Sequence, residues 1–301
     1  MLKFNKAPKE YIDYNGWQIA VFLNDEEQNI DLKIINSFSA EWGKFKYFSN
    51  EEIEKIGQEY FDIINENILN KNLYVLDLGC GSGRWTKFIA DKVNFVEAID
   101  PSESVYTAAN LLENTPNVRI TKANIDNLPF DDESFDFAFS LGVLHHIPDT
   151  KQALKKLVKK VKINGHVLVY LYYRMDNRGL LYKIIFIISN AIRKITSQLP
   201  LVIKKTVCDI IAIFIYLPMI CLSKFFKMAL KNNFYKKIPL SYYIDKSFRI
   251  IRNDALDRFG TTLEQRFSKK EINKMMIDAG LYNIIFSDNP PFWHAVGERI
   301  K

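Results

Sequence analysis

Three glycines fall within five positions of VLDLGCGSGRWTKFIA, residues 75–90, between an apolar run and a helix-forming run. A tight turn needs one such residue. Gly79, Gly81 and Gly83 together suggest a loop whose backbone comes close to a ligand. A dinucleotide fingerprint would require glycine where Arg84 stands, and a phosphate loop would require a Gly-Lys-Ser/Thr ending. Both are missing, so a pyrophosphate cradle is disfavoured. Asp77 precedes the loop at the end of a strand-like run, where it can accept from an ammonium group or organise the loop amides. A second acid, Asp100, ends VEAID. It follows at the distance, about 20 residues, at which a carboxylate accepts from two ribose hydroxyls. In ANIDNLPF, Asn124 and Ile125 pair a short polar residue with an apolar one. That pair can read an adenine edge, one by side chain and one by main-chain N–H.

His145 and His146 follow the next strand-like run, FDFAFSLGVLHHI. A histidine at a strand's carboxyl end can take a proton from an acceptor hydroxyl, and His146 is the preferred candidate. The competing expectation is that the pair only supports the pocket wall. His294 is a more remote alternative base. Trp42, Phe45, Tyr47 and Phe48 suit either a lid over the site or the core of a small N-terminal cap. The three cysteines, Cys80, Cys208 and Cys221, form no CxxC pair and no cluster with histidine, so neither a disulfide framework nor a metal site is expected.

The elements that must hold these residues alternate. LYVLDLG, FVEAID, VRITKANI, FDFAFS and HVLVYLYY read as strands. Helical runs lie between them, among them SVYTAANLLENT with Ser102 as a cap and TKQALKKLVKKV with a basic face. Such β-α alternation predicts an α/β fold, a parallel sheet covered by helices on both faces. Ahead of it, Asn15-Gly16 between β-prone runs predicts a hairpin. Ser49 with Glu52 predicts a capping box opening a helix over 50–69. At the end, Ser268 caps a helix reaching Gly280, and LYNIIFSD with PFWHAVGERI reads as an antiparallel pair closing the sheet edge.

With these motifs in order, residues 73–173 resemble the class I S-adenosylmethionine-dependent methyltransferases, of the type 11-like branch. The resemblance is carried by VLDLGCGSGRW, EAIDPSESV, ANIDNLPFDDESFD, SLGVLHHIPD and KKVKINGH. It implies a Rossmann-like, seven-stranded, mostly parallel sheet with an antiparallel last strand. It implies S-adenosyl-L-methionine as cofactor and S-adenosyl-L-homocysteine as product. Asp77, Gly79, Cys80, Gly81 and Gly83 would line the methionine part of the cofactor, and Asp100 with Pro101 the ribose. Asn124 and Ile125 would meet the adenine, and Ser140 with Leu141 would complete the pocket. Asn124 stands where many relatives carry Asp, and Asn164-Gly165-His166 where many carry Pro-Gly-Gly.

The chain of 301 residues divides, on this reading, into an N-terminal cap at 1–49, a cofactor-binding core at 50–174, an insertion at 175–250, and a closing segment at 251–301. Net charge is +6, unevenly spread. Arg and Lys crowd the insertion among long apolar runs such as LLYKIIFIISNAI, while the remainder is acidic. Basic and apolar together suggest contact with an anionic membrane surface or a lipid. Ile210–Ser223 is uncharged but broken by Pro218, and is shorter than the about 20 residues a span needs. A signal-peptide core is not seen at the start, so a cytoplasmic protein is expected, with the inner membrane face as a possible site of contact. The expected reaction is methyl transfer, as O-methylation, to a small or lipid-linked acceptor: a sugar hydroxyl on a glycan or lipid-carrier precursor, or a prenylated phenol or quinone. RNA methylation is an alternative, disfavoured because the basic residues do not form a polar stripe with stacking aromatics. The Asn-Pro-Pro-Phe motif of amino-directed nucleic-acid enzymes falls at Asn289–Phe292, not after the fourth strand. A non-catalytic cofactor-binding scaffold is the third reading.

Overall fold

The computed structural model describes residues 1–23, 49–177, 179–230 and 233–300. The chain forms two compact units: Met1–Arg174 with Leu263–Lys301, and Met175–Thr262. Trp42, Phe45, Tyr47 and Phe48 lie outside the described residues.

The first unit is built on one sheet. Its strands are β1 (Glu10–Tyr14), β2 (Trp17–Val21), β3 (Tyr74–Leu78), β4 (Phe95–Ile99), β5 (Val118–Lys122), β6 (Phe135–Leu141), β7 (Val161–Tyr170), β8 (Leu281–Phe286) and β9 (His294–Arg299). The order across the sheet is β1-β2-β5-β4-β3-β6-β7-β9-β8. From β2 to β7 each neighbouring pair is parallel, and β9 runs antiparallel to both β7 and β8. Val75, Leu76, Val96, Ala98, Phe137, Ala138 and Phe139 are all buried, as strands covered on both faces require.

Among the described residues the sheet has nine strands rather than the expected seven. The two extra strands are the Asn15-Gly16 hairpin, whose turn residues take φ of 46° and 83°. Through Ala20 and Val21 it adds to the β5 edge, so this hairpin extends the sheet.

The helices of this unit are α1 (Asn50–Tyr60), α2 (Arg84–Ala90), α3 (Ser104–Leu111), α4 (Thr150–Lys160) and, after the excursion, α8 (Lys269–Asp278). α1 opens with the expected Ser49–Glu52 capping box but stops at Tyr60, well short of residue 69. The Asn65 side chain accepts from the main-chain N–H groups of Asn67 and Ile68, turning the chain where the helix would have continued. Glu103 takes the cap position of α3 without a side-chain bond, while the Ser102 hydroxyl oxygen one residue earlier accepts from Ser104 N–H (3.2 Å) and the Ser102 hydroxyl and N–H donate to Asp100.

The second unit is helical. α5 (Leu180–Thr196) is followed by α6 (Leu201–Ala229), which contains a π turn at Ala212–Tyr216, and by α7 (Phe248–Gly260). Cys208, Ala212 and Tyr216 of α6 share a small core with Ile251, Ala255 and Phe259 of α7. α7 therefore belongs to this unit, which ends at Thr262 rather than at 250. The chain leaves the sheet and returns at adjacent places: Arg174 N–H donates to Phe267 O (3.0 Å), and Phe267 N–H donates to Tyr172 O (2.9 Å).

Candidate functional site

The carboxyl ends of β3, β4 and β6 gather the glycine loop, the two acids and the histidine pair in one region. Asp77 is the penultimate residue of β3. The N–H groups of Gly79 and Cys80 both donate to Ile99 O, at 2.7 and 2.9 Å, which folds the loop against the end of β4. Gly79, Gly81 and Gly83 take φ of 82°, 53° and 80°. A Cβ at Gly79 would collide with the Val143 side chain, and one at Gly83 would come within 2.9 Å of Leu112. Gly79 and Gly83 therefore favour glycine for conformation and for space, and Gly81 for conformation.

Asp100 closes the loop from the other side. Gly81 N–H donates to its Oδ2 (2.9 Å), and Ser102 donates to its Oδ1 through N–H (2.8 Å) and hydroxyl (2.5 Å). Burial raises its pKa, against these bonds that lower it. Asp77 is more extreme. Its Oδ2 accepts from the Thr86 hydroxyl at 2.5 Å, while its Oδ1 is buried with no hydrogen-bond partner among the described residues. Burial, reinforced by the charge of Asp100, lifts its pKa to about 8 against the Thr86 bond. Among the described residues neither acid forms a salt bridge, so the site holds two buried carboxyls met by hydrogen bonds alone.

These features fit S-adenosyl-L-methionine. Its ammonium group would answer the orphaned Asp77 Oδ1, and Gly79, Gly81 and Gly83 leave the backbone bare where the methionine part would lie. Asp100 would accept from the ribose hydroxyls. Cys80, Ser140 and Leu141 are buried around the loop, and the Ser140 hydroxyl donates to Leu78 O (2.9 Å). Pro101 is partly exposed beside Asp100. Asn124 has a different task from the one its sequence position suggests. Its Oδ1 accepts from Asp126 N–H (2.8 Å) and Asn127 N–H (2.9 Å), folding the loop after β5. That oxygen thus already accepts two main-chain bonds.

The histidines separate. His145 is fully buried, stacked on Tyr172 with ring centroids 3.9 Å apart, and neither ring nitrogen has a hydrogen-bond partner among the described residues. Burial, then the neighbouring His146 and Arg266, pushes its pKa well below the ordinary value, so it stays neutral. His146 Nδ1 lies 2.8 Å from Leu263 O. A carbonyl only accepts, so Nδ1 carries a proton, while Nε2 is buried.

His294 is engaged at both ring nitrogens: Nδ1 and Nε2 each lie 2.7 Å from an oxygen, Pro291 O and Asp62 Oδ1. Asp62 also accepts from Ser287 and Asn289. Burial raises the Asp62 pKa, but these bonds, led by that from His294, outweigh it and hold the carboxyl below its usual range. Asn289 is thereby a structural residue of the turn before β9.

Sequence reasoning missed an aromatic wall beside the glycine loop. Tyr60 packs on Trp85 (4.6 Å) and edge-on against Tyr170 (5.1 Å), and Tyr170 approaches Tyr172 (5.8 Å). Gly142, at the end of β6, faces Tyr170 across the strands. The tyrosines of HVLVYLYY were legible as strand, but nothing in their spacing showed that α1 would bring Tyr60 to meet them.

Residues 76–169 match the "Methyltransferase domain" family. The chain is 28% identical over 140 residues to an uncharacterized methyltransferase of Staphylococcus carnosus, covering 46% of this chain and 66% of that one. It is 27% identical over 166 residues to a ubiquinone biosynthesis O-methyltransferase of Coxiella burnetii, covering 52% and 67%. The chain thus spans about two thirds of the length of these relatives. Its fold is shared, at TM-score 0.51 and 14% identity over 88% of this chain, with a structure from the complex between a methyltransferase activator and a methyltransferase of Haloferax volcanii, of which it covers 98%. With the loop, the two acids and the strand order already described, residues 76–169 form a class I S-adenosyl-L-methionine-dependent methyltransferase domain, and S-adenosyl-L-methionine is its cofactor.

Proposed function

We propose that this protein transfers a methyl group from S-adenosyl-L-methionine to an oxygen of a small or lipid-linked acceptor. The observation that carries the reading is the buried pair Asp77 and Asp100 around a loop whose backbone favours glycine. The cofactor supplies an electrophilic methyl group on a sulfonium and leaves as S-adenosyl-L-homocysteine. What remains for the protein is alignment and exclusion of water. Tyr60, Trp85, Tyr170 and Tyr172 give an apolar, aromatic wall suited to an aromatic or prenylated acceptor. We assign the acceptor's hydroxyl proton to His146, whose Nδ1 is held by Leu263 O and whose buried Nε2 must be uncovered when the acceptor binds. The similarity to a ubiquinone biosynthesis O-methyltransferase supports acceptance at oxygen.

Isothermal titration with S-adenosyl-L-homocysteine tests the cofactor half of this reading. Micromolar affinity is expected, and no binding would sink it. The acceptor half is tested with methyl-labelled cofactor and fractionated cell extract. Label is expected in the lipid or small-molecule fraction, and label confined to RNA would overturn the acceptor class.

A further inference from the structure

The second unit carries large apolar side chains exposed along its helices. On α5, Ile187 is 67% exposed and Ile188 56%. On α6, Phe214, Phe225 and Met228 are 72%, 62% and 78% exposed. Most of the large exposed apolar side chains of the described residues lie in this smaller unit. The same helices carry exposed cations: Lys183 and Lys194 on α5 and Lys224 on α6. Between Met175 and Thr262 the chain carries many more Lys and Arg than Asp and Glu, while the rest of the protein is net acidic. Exposed apolar side chains and exposed lysines on the same helices match the boundary between acyl chains and anionic headgroups.

We propose that the second unit docks this protein onto an anionic phospholipid bilayer, with α5 and α6 lying in the plane of the surface. α6 is long and apolar enough to cross a membrane. Its neighbour argues that it does not. α7 packs along the buried face of α6 and brings charge to its middle: Arg252 pairs with Asp209 at 2.6 Å, and Asp254 accepts from the Tyr216 hydroxyl at 2.9 Å. Ionised side chains at that depth of a bilayer are costly. Lying flat, α6 keeps α7 and its charges on the wet side and turns Phe214 and Phe225 toward the acyl chains. The π turn at Ala212–Tyr216 and Pro218 sit inside the same helix, where a flat helix tolerates them against its own packed core.

The test uses the purified 301-residue chain and extruded vesicles of phosphatidylcholine, alone or doped with phosphatidylglycerol. Co-sedimentation is expected with the doped vesicles, falling about tenfold or more in roughly 0.5 M salt as the headgroup attraction is screened. The double variant Ile187→Glu, Phe214→Glu changes only exposed positions. It should lose vesicle binding by more than tenfold while its circular dichroism and its affinity for S-adenosyl-L-homocysteine stay as they were. Failure to bind doped vesicles overturns the proposal, as does equal binding by the variant. A dimer in solution that the variant dissociates would show that a second copy covers this face. Displacement from vesicles by single-stranded RNA would assign the cations to nucleic acid. Resistance to alkaline carbonate extraction from cell membranes would mean that α6 spans. Each of these three outcomes also overturns it.

Discussion

Asp77 combines two properties that pull in opposite directions. It is buried with one oxygen unanswered, which costs the folded protein free energy, and that oxygen is what a cationic ligand needs. Asp77→Asn should therefore stabilise the ligand-free protein at pH 8 by about 1–2 kcal/mol, seen in denaturant melts, while S-adenosyl-L-homocysteine binding falls at least tenfold. The sign of the pH effect follows from the raised pKa of about 8. An acid whose folded pKa is raised holds its proton in the fold, so the stability it lends is present at low pH and is lost as pH rises toward 8. Ligand affinity runs the other way: an ammonium group binds the ionised carboxylate, so affinity should strengthen from pH 6 to 8, by up to about tenfold per unit, and then level off. A pH-independent affinity would contradict this. Asp100→Ala should cost cofactor binding about 2 kcal/mol or more, because it removes charge-assisted bonds and releases Gly81. His146→Gln should lower kcat about 100-fold or more and leave cofactor affinity unchanged. An unaltered kcat would make the residue a wall of the pocket only.

At the scale of elements, the glycine loop is a strand-to-helix connection clamped at three points. Gly79→Ala sets a side chain in left-handed backbone and against Val143. It should lower the melting temperature and reduce cofactor affinity at least tenfold, measured by thermal shift with and without ligand. The strands β3 to β7 were legible in the sequence because burial on both faces leaves long Val, Ile, Leu and Phe runs that little else produces. The hairpin was legible from Asn15-Gly16, but its place at the β5 edge was not, since pairing through Ala20 and Val21 leaves no periodic mark. In the site, glycines and acids could be read because their chemistry is local. The fates of Asn124 and His294 could not. Asn124 is consumed by a turn that competes for its oxygen, and His294 by Asp62, which is 232 residues distant in sequence.

For the whole molecule, two units share one chain, and the second is inserted between two residues of the first that already touch. Tyr172, Arg174 and Phe267 tie departure to return by main-chain hydrogen bonds, and Tyr173 and Phe267 form a parallel bridge. The closure entropy of the excursion is therefore met at its neck, whatever lies beyond it. Replacing residues 175–262 with a short glycine-serine linker should leave S-adenosyl-L-homocysteine affinity within a few fold and remove vesicle binding altogether. The residue just past the neck is Leu263, whose carbonyl holds His146 Nδ1. Such a junction works as a socket. Cassettes of different length and surface can be exchanged there during evolution, redirecting the same chemistry to new compartments, provided each returns the chain to Leu263 in register.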